Sequence, residues 1–231
     1  MSKPITIATP IDCVAIVSGG MDSVTLLHHI VKVEKRHPAV IAFAYGQKHD
    51  KELVFARVQA EIVGCTAFQE LDLSVLRPLF AKSALVDGKT AVPTIDSVQG
   101  NNQPVTYVPN RNMIFLALAA AYAETHGVAD IYYGAQQHDM YGYWDTTPDF
   151  LARLNNVYSL NRGTAVPTIK APFVHYTKTD ILRAGLELGV DYAQTWSCYE
   201  GKTAACGTCP TCAERLGAFT ALGLTDPINY K

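Results

Sequence analysis

The sequence predicts an α/β fold in which a doubly wound, mostly parallel sheet carries helices on both faces. Three observations support this prediction. Short apolar runs rich in β-branched residues alternate with segments of helical periodicity, polar or glycine residues follow these runs, and the first five elements read strand, helix, strand, helix, strand. This order requires crossover connections, which are right-handed in parallel sheets.

Strands and helices can be assigned in order from these patterns. A buried strand is a short apolar run, whereas a helix shows apolar residues three or four positions apart. We expect strands at 12–17, 40–44, 67–71, 130–135 and 165–174, and helices at 22–36, 50–63, 112–126, 148–160 and 177–188. The helix at 112–126 is apolar nearly all round, which predicts burial, and Thr177 with Asp180 predicts a capping box.

Residues 74–109 interrupt this alternation. They are rich in Pro, Gly, Asn, Ser and Thr and carry no sustained period, so we expect a long loop with at most one short helix. This loop is either a lid or a disordered insertion. Because 231 residues suffice for one sizeable core, we expect a main domain at 1–194 and a small subdomain at 195–231.

Composition and charge exclude several classes of protein. The net charge of −2 argues against a broad nucleic-acid surface, and no apolar run reaches the roughly 18 residues that a membrane-spanning helix needs. The first ten residues lack the apolar core of a secretory signal. We therefore expect a cytoplasmic protein without a membrane partner.

The turn after the first strand, at 18–23, reads Ser-Gly-Gly-Met-Asp-Ser. Glycine can adopt positive φ and lets the backbone approach a ligand closely, and the start of a helix attracts anions. The turn lacks the lysine of a Walker loop and is shorter than the dinucleotide fingerprint. We interpret it as a phosphate-binding loop; the alternative is a tight turn capped by Asp22.

Polar residues follow other predicted strands at the same edge of the sheet, where parallel α/β folds bind ligands. Tyr45, Gln47 and His49 follow the second strand, and Asp139 follows the fourth. Asp145 stands in an aromatic stretch, which suits a flat heterocycle with N–H donors, such as a guanine-like base. The alternative for the aromatic residues is packing in the core.

Two basic residues stand at predicted helix starts. A helix dipole disfavours a cation at this end, so we expect Arg111 to face an anion, either the phosphates of ATP or a substrate carboxylate. Lys178 is placed to reach phosphate at the start of the last predicted helix. For both residues the alternative is a solvated side chain.

Four of the six cysteines follow a C-x7-C-x2-C-x2-C pattern, at Cys198, Cys206, Cys209 and Cys212. Two-residue spacings present two thiolates to one ion, and four thiolates fill a tetrahedral site, so we expect a structural Zn²⁺. An iron–sulfur cluster uses the same ligands and is the alternative. Cys13 and Cys65 are expected to be small buried hydrophobes.

With these motifs assigned, the chain resembles the QueC family of 7-cyano-7-deazaguanine synthases. That family belongs to the PP-loop ATP pyrophosphatases, whose fold is adenine nucleotide alpha hydrolase-like. The resemblance runs from Ser18 to about Arg215. The matching segments are 18–23, 45–49, 108–112, 195–201 and the knuckle formed by Cys206, Cys209 and Cys212.

The resemblance implies a reaction. ATP, with Mg²⁺, converts the carboxylate of 7-carboxy-7-deazaguanine into an acyl adenylate, ammonia gives the amide, and a second ATP leads to the nitrile 7-cyano-7-deazaguanine (preQ0). The reaction serves queuosine or related 7-deazapurine biosynthesis, and the family resemblance also implies a homodimer. No covalent enzyme intermediate is required, so positioning and charge stabilisation would carry the catalysis.

The implied site collects the residues introduced above. The catalytic residues are Asp22, Ser23, Arg111 and Lys178. The ATP-binding residues are Val17, Ser18, Gly19, Gly20, Met21, Asp22, Ser23, Val24, Thr25, Leu26 and Leu27. The substrate-binding residues are Tyr45, Gln47, His49, Asn112, Asp139 and Asp145.

The chain departs from the family pattern in two places. The family usually has Gly-Arg-Asn where this chain has Asn110-Arg111-Asn112, and Tyr-Pro-Asp-Cys-Arg where this chain has Tyr-Trp-Asp-Thr-Thr at 143–147. The second departure motivates an alternative function, a ligase that stops at the amide or transfers the deazaguanine acyl group to another amine, for example on a protein. Two further alternatives are an RNA-thiolating PP-loop enzyme and a nucleotide sensor without turnover.

Overall fold

The structure, a computed structural model, describes residues 10–47, 51–87, 89–94, 103–136, 142–201 and 203–231. Its strands are β1 (Cys13–Ile16), β2 (Pro38–Ala44), β3 (Ala67–Asp72), β4 (Asp130–Tyr132) and β5 (Thr168–Lys170). These five strands form one parallel sheet in the order β3-β2-β1-β4-β5. The strand order reverses direction at β1, so the prediction of a doubly wound α/β fold is confirmed.

Helices connect and cover these strands. The α-helices of the described residues are α1 (Met21–Lys32), α2 (Lys51–Ile62), α3 (Arg111–Thr125), α4 (Pro148–Tyr158), α5 (Lys178–Glu187) and α6 (Pro210–Ala221). Short 3₁₀ helices occur at Ser74–Phe80, Trp144–Thr146 and Tyr192–Gln194. The first five α-helices lie at the predicted places, although α1 ends four residues earlier than predicted, and the capping box of Thr177 and Asp180 is present at the start of α5. The sequence pattern did not predict α6, which begins inside the cysteine motif.

The central strand separates two apolar cores. Cys13 and Ala15 pack with residues of α1, α2 and α5 on one face, whereas Val14 packs with residues of α3 and α4 on the other. This alternation follows from the two-residue period of a strand. The carboxyl end of β1 therefore lies between two helical layers, at the switch point where such sheets bind ligands.

The structure corrects two expectations about length and burial. β5 is shorter than predicted because Pro167 and Pro172 flank it and cannot donate a ladder hydrogen bond. α3 is not buried all round, since Ala117 and Ala121 are exposed while Leu116 is buried. Alanine favours helices in either environment, so composition alone did not reveal the exposed face.

The described part of the segment 74–109 packs against residues that follow β2 and β3 and against α3. It contains one short 3₁₀ helix, as predicted, and Phe80, Leu85, Val86 and Val108 form a small apolar core with Tyr45. None of the helices that the structure describes combines the length and apolar character needed to cross a bilayer.

Candidate active site

A cleft lies at the carboxyl ends of β1, β2 and β4. Several of the predicted site residues, which come from distant parts of the sequence, line it together. These residues are Val17, Ser18, Gly20, Met21, Asp22, Ser23, Tyr45, Gln47, Arg111, Asn112 and Lys178. His49 and Asp139 fall outside the residues that the structure describes, so their placement stays a prediction.

The remaining residues of the predicted ATP segment lie beneath the cleft. Val24, Leu26 and Leu27 are buried in the apolar clusters around α1. The Thr25 hydroxyl lies 2.7 Å from the hydroxyl of Tyr192 and donates to the Met21 carbonyl oxygen. These side chains support the start of α1 from inside the fold.

The two glycines of the loop at 18–23 have different roles. Gly19 has a φ of +90°, and a Cβ there would collide with the Glu52 carbonyl oxygen and lie 2.8 Å from the Ala56 nitrogen. Gly20 has an ordinary φ of −76°, and a Cβ there would meet Ser18 Oγ at 3.4 Å. Gly19 therefore allows α2 to pack against the loop, whereas Gly20 leaves the backbone open on the cleft side.

Two serine hydroxyls hold the shape of this loop. Ser23 Oγ accepts a hydrogen bond from the Ser18 backbone nitrogen at 3.2 Å and donates to the Gly20 carbonyl oxygen at 3.2 Å. Ser18 Oγ accepts from the Gly20 nitrogen and lies 3.1 Å from Ser23 Oγ. The first turn of α1 and its dipole therefore face the cleft in a fixed geometry, which suits an anionic ligand.

Lys178 and Asp22 form an ion pair in the cleft. Lys178 is only 8% exposed, which excludes a solvated side chain, and its Nζ lies 2.5 Å from Asp22 Oδ2 and 3.8 Å from Glu214 Oε2. Asp22 Oδ1 is buried and has no hydrogen-bond partner among the described residues. One oxygen of this carboxylate is therefore held by Lys178 while the other is available to a ligand.

Arg111 lines the cleft at the start of α3, where a cation requires an anionic partner. Its Nη1 donates to the Tyr45 hydroxyl at 3.4 Å, and the guanidinium lies 5.7 Å from the centre of the Tyr45 ring. Among the described residues, no carboxylate lies within ion-pair distance of Arg111. The guanidinium is therefore positioned to bind an anion that enters the cleft.

Aromatic side chains form another wall. Phe43 and Phe115 stack with 4.0 Å between ring centres, and Tyr45 packs against Phe115 at 5.6 Å. Tyr133, Tyr143 and Tyr199 also line the cleft. A cleft with these faces can enclose a flat heterocycle.

Asp145 lies behind this wall, and it is not among the described residues that line the cleft. It is 1% exposed, and its Oδ1 has no hydrogen-bond partner among the described residues. Burial raises the pKa of its carboxyl group, although Arg111 and hydrogen bonds from Asn112 oppose that rise. Its neighbours Tyr143 and Thr146 do reach the cleft, so Asp145 is one layer away from it.

The cleft also contains residues that the sequence analysis missed. Glu52 lies in the first turn of α2, and burial raises the pKa of its carboxyl group to about 7. Thr211 and Glu214 come from α6, which the sequence did not predict. The position of Glu52 shortly after the predicted motif at 45–49 was a signal for it, whereas no local pattern indicated the residues of α6.

The four cysteines of the C-terminal motif converge as predicted. Their sulfur atoms all lie within 4.8 Å of one another, in an arrangement that could hold one metal ion. Cys198 Sγ accepts hydrogen bonds from the backbone nitrogens of Gly201 and Cys206, at 3.0 and 3.2 Å. Such N–H groups stabilise thiolates, which are the form that binds metal.

The cysteine site and the cleft are joined by a short segment. The Trp196 nitrogen donates to the Gly19 carbonyl oxygen at 3.0 Å, and Ser197 Oγ accepts from the Met21 nitrogen at 3.4 Å. Thr211, between two of the cysteines, donates to the Ser197 carbonyl oxygen at 2.7 Å. The cysteine site therefore supports one side of the loop at 18–23.

Comparison with known proteins establishes the family. The family described as "Queuosine biosynthesis protein QueC" matches residues 12–223, nearly the whole chain. The chain belongs to the QueC family. The 7-cyano-7-deazaguanine synthase of Chromohalobacter salexigens is 42% identical over 217 residues, which cover 94% of this chain and 85% of the relative. The 7-cyano-7-deazaguanine synthase of Hahella chejuensis is 41% identical over 231 residues, covering 100% and 98% of the two chains.

Solved structures support the fold of this QueC-family chain. The NMN synthetase from Francisella tularensis has a TM-score of 0.53 and 13% identity, and the match covers 94% of this chain and 79% of that one. At this identity the likeness concerns the fold alone. Membership of the QueC family makes the chain an ATP-dependent, ligase-type enzyme of queuosine biosynthesis.

The structure explains the first departure from the QueC pattern. Asn110 precedes α3 with a φ of +55° and a ψ of 19°, which is the left-handed region. Glycine enters this region without strain, and asparagine is the side chain that enters it most readily. The replacement of the usual glycine therefore preserves the backbone that presents Arg111.

The second departure changes three positions, of which Trp144 is exposed and the two threonines have distinct roles. Thr147 is the N-cap of α4 and accepts a hydrogen bond from the Phe150 nitrogen at 3.1 Å, so it stabilises the helix start. Thr146 lines the cleft, and its hydroxyl donates to the Tyr143 carbonyl oxygen at 2.7 Å. Thr146 is therefore the substituted residue of this segment that lines the cleft.

Proposed function

We propose that this QueC-family enzyme converts 7-carboxy-7-deazaguanine to 7-cyano-7-deazaguanine with ammonia and two molecules of ATP. One observation carries the proposal: the helix-start loop at 18–23, the cation Arg111 and an aromatic wall belong to the same cleft. A phosphate chain, a carboxylate and a flat base each have a suitable surface there. The names of the relatives in C. salexigens and H. chejuensis agree with this substrate class.

The loop at 18–23 would bind the phosphates of ATP. Its first helical turn offers backbone N–H groups, and Ser23 fixes their arrangement through its bonds to Ser18 and Gly20. Lys178 would neutralise charge on the departing pyrophosphate, and Arg111 would hold the substrate carboxylate or the developing charge at the α-phosphate. Because these groups are fixed before ATP binds, little reorganisation is needed during adenylation.

The arrangement at Asp22 fits a magnesium ion. Its Oδ1 is buried without a partner among the described residues, and a carboxylate oxygen is a ligand that Mg²⁺ prefers. When bound, the ion would offset phosphate charge as pyrophosphate leaves. Lys178 would keep Asp22 oriented through its contact with Oδ2.

The aromatic wall would hold the deazaguanine ring. Phe115 and Tyr45 offer faces for stacking, and Asn112 lines the cleft beside them. Asp145 would act through Asn112, because Asn112 lines the cleft and is close enough to Asp145 to lower the pKa of its carboxyl group, whereas Asp145 itself lies one layer behind the cleft. In this proposal Asn112 contacts the deazaguanine base, and Asp145 fixes the orientation of the Asn112 side-chain amide.

The cysteine site fits a structural zinc ion. Four ligands at about 2.3 Å in a tetrahedron lie about 3.8 Å apart, and the sulfur atoms of Cys206 and Cys212 are 3.9 Å apart. The four thiolates of an iron–sulfur cluster are distributed over two or four iron atoms and therefore do not all lie this close together, so the compact arrangement favours zinc. Four protein ligands leave no position for substrate, which supports a structural role.

The test of the proposed reaction is mass spectrometry of the products. The purified protein would be incubated with 7-carboxy-7-deazaguanine, ATP, Mg²⁺ and an ammonium salt. We expect the nitrile, with two AMP and two pyrophosphate per product. Absence of pyrophosphate release with this substrate would contradict the proposal. Light scattering of the same sample would separately test whether the protein is the expected homodimer.

A second candidate function is an amide-forming ligase or an acyl transferase that uses a protein amine. The observation in its favour is Thr146, which lines the cleft where the family usually has cysteine. In the assay above, amide as the final product with one AMP would favour this candidate. A deazaguanine acyl group attached to a protein would favour the transferase.

A further inference from the structure

Glu52 has a fixed backbone position beside the phosphate loop. Its carbonyl oxygen occupies the space that a side chain at Gly19 would need, so α2 and the loop are in close contact. Its side chain is half-buried, and the residue belongs to the cleft lining. The carboxylate is therefore held inside the site rather than on the outer surface of α2.

The surroundings of this carboxylate distinguish it from the other acidic groups of the cleft. Asp22 and Glu214 both lie within ion-pair distance of Lys178. Within the described part of the chain, the Glu52 carboxylate has no hydrogen bond and no ion pair, although Arg111 and Tyr45 are close enough to act on it electrostatically. A negative group in this position can bind a small cation.

The proposed reaction uses such a cation. In neutral solution the nitrogen donor is mainly ammonium, which has no lone pair and cannot attack a carbonyl carbon. One proton must leave before attack. The nitrogen then forms a bond to the acyl carbon, the bond from that carbon to the AMP oxygen breaks, AMP leaves with the electron pair, and a second proton is lost from nitrogen to give the amide.

We infer that Glu52 is the catalytic residue that binds ammonium in the cleft and accepts its first proton, an inference that rests on the proposed function. The proton passes from nitrogen to a Glu52 carboxylate oxygen and then to solvent. The second proton, from the nitrogen of the adduct, passes to solvent or to the regenerated carboxylate. Arg111, which would hold the substrate carboxylate, and Tyr45 are both close enough to Glu52 to interact with its carboxylate electrostatically, so the Glu52 carboxylate and the acyl group can meet there.

The acidity of Glu52 agrees with this role. Burial raises the pKa of its carboxyl group to about 7, Arg111 opposes the rise, and the negative charge of the Cys198 thiolate adds to it. A general base works best when its pKa is near the working pH. The raised pKa therefore supports the inference, which rests on the position of the carboxylate in the cleft.

The test compares two nucleophiles in wild type and Glu52→Gln. Hydroxylamine is already unprotonated at neutral pH, so it reacts with an acyl adenylate without a base and gives a hydroxamate. We expect Glu52→Gln to reduce amide formation from ammonium by about 10²- to 10⁴-fold. Two other steps should stay within about threefold of wild type, because neither needs Glu52 as a base. The first is the release of pyrophosphate, measured before any amine is added, and the second is the formation of the hydroxamate.

The control is Glu61→Gln, which removes an exposed carboxylate from the same helix and should leave every step unchanged. Three results for Glu52→Gln would each overturn the inference. They are equal decreases in product formation with ammonium and with hydroxylamine, a loss of adenylation, and unchanged amide formation. Failure of the wild type to release pyrophosphate would instead contradict the proposed function, and the inference would fall with it.

Discussion

Lys178 and Asp22, which are 156 residues apart in the chain, form an ion pair with 2.5 Å between Nζ and Oδ2. The contact joins the start of α5 to the start of α1. It also determines which oxygen of Asp22 remains available, since Oδ1 has no partner among the described residues. A lysine and a metal ion would therefore use opposite sides of one carboxylate.

Replacement of Lys178 by methionine should slow the adenylation step. The variant loses charge next to the phosphates and leaves Asp22 without its partner, so we expect pyrophosphate release to fall by about 10²-fold or more. Stopped-flow measurement of pyrophosphate checks this. The matched control is Lys170→Met, which breaks the 2.8 Å pair with Asp130 away from the cleft and should not slow the reaction. Similar rates for both variants would contradict a role of Lys178 in adenylation.

Gly19 and Gly64 offer a comparison of backbone strain with steric collision. Both have positive φ, but a Cβ at Gly64 would meet nothing within 4 Å, whereas one at Gly19 would collide with α2. We expect Gly64→Ala to lower the free energy of unfolding by about 1–2 kcal/mol, and Gly19→Ala to lower it by more and to weaken ATP binding. Urea denaturation and calorimetric titration with ATP check this. Equal effects of the two substitutions would show that the contact with Glu52 does not matter.

The cysteine site should contain one zinc ion per chain. We expect metal analysis of the purified protein to give about one zinc and little iron, and Cys209→Ser to lower both the zinc content and the affinity for ATP. The loss of affinity follows from the contacts of Trp196 and Ser197 with the phosphate loop. Cys65→Ser, which changes a cysteine outside the site, should retain zinc. Iron and inorganic sulfide in the wild type would contradict the zinc assignment.

Arg215 should be a major contributor to the stability of the C-terminal region. It is 1% exposed, pairs with Asp226 at 2.6 Å, and donates to Thr195 Oγ1 and to the Tyr192 carbonyl oxygen. Arg215→Met leaves a buried carboxylate unpaired, so we expect it to lower the free energy of unfolding by about 3–5 kcal/mol. In the control, Arg183→Met breaks an exposed pair and should cost less than about 1 kcal/mol. Chemical denaturation of the two variants distinguishes these values.

The sequence predicted the features that depend on neighbouring residues. The strand, glycine turn and helix at 12–36 are set by local periodicity and by backbone preferences, and the structure places them as expected apart from their ends. The cysteine cluster was predictable from spacing alone. Asn110 could be recognised as a departure, but only its positive φ explains why the departure is tolerated.

Features that depend on tertiary contacts were not predictable. The solvated alternative for Lys178 was as consistent with the sequence as the buried one, because its partners Asp22 and Glu214 belong to other helices. Asp145 was expected at the cleft, yet its side chain lies behind Tyr143 and Thr146. Glu214 was missed because its position arises from how α6 packs, whereas Glu52 was missed although it closely follows the predicted motif at 45–49.

Helix α6 serves two sites at once. Cys209 is its N-cap and Cys212 lies in its first turn, while Thr211 and Glu214 on the same turns line the cleft. A shift of the helix that suits a different ion would also move a wall of the cleft, so we expect substitutions at the two sets of positions to affect each other. The cysteine motif and the cleft therefore share one mechanical support, and grafting a cysteine motif from a distant relative should require transfer of the whole helix.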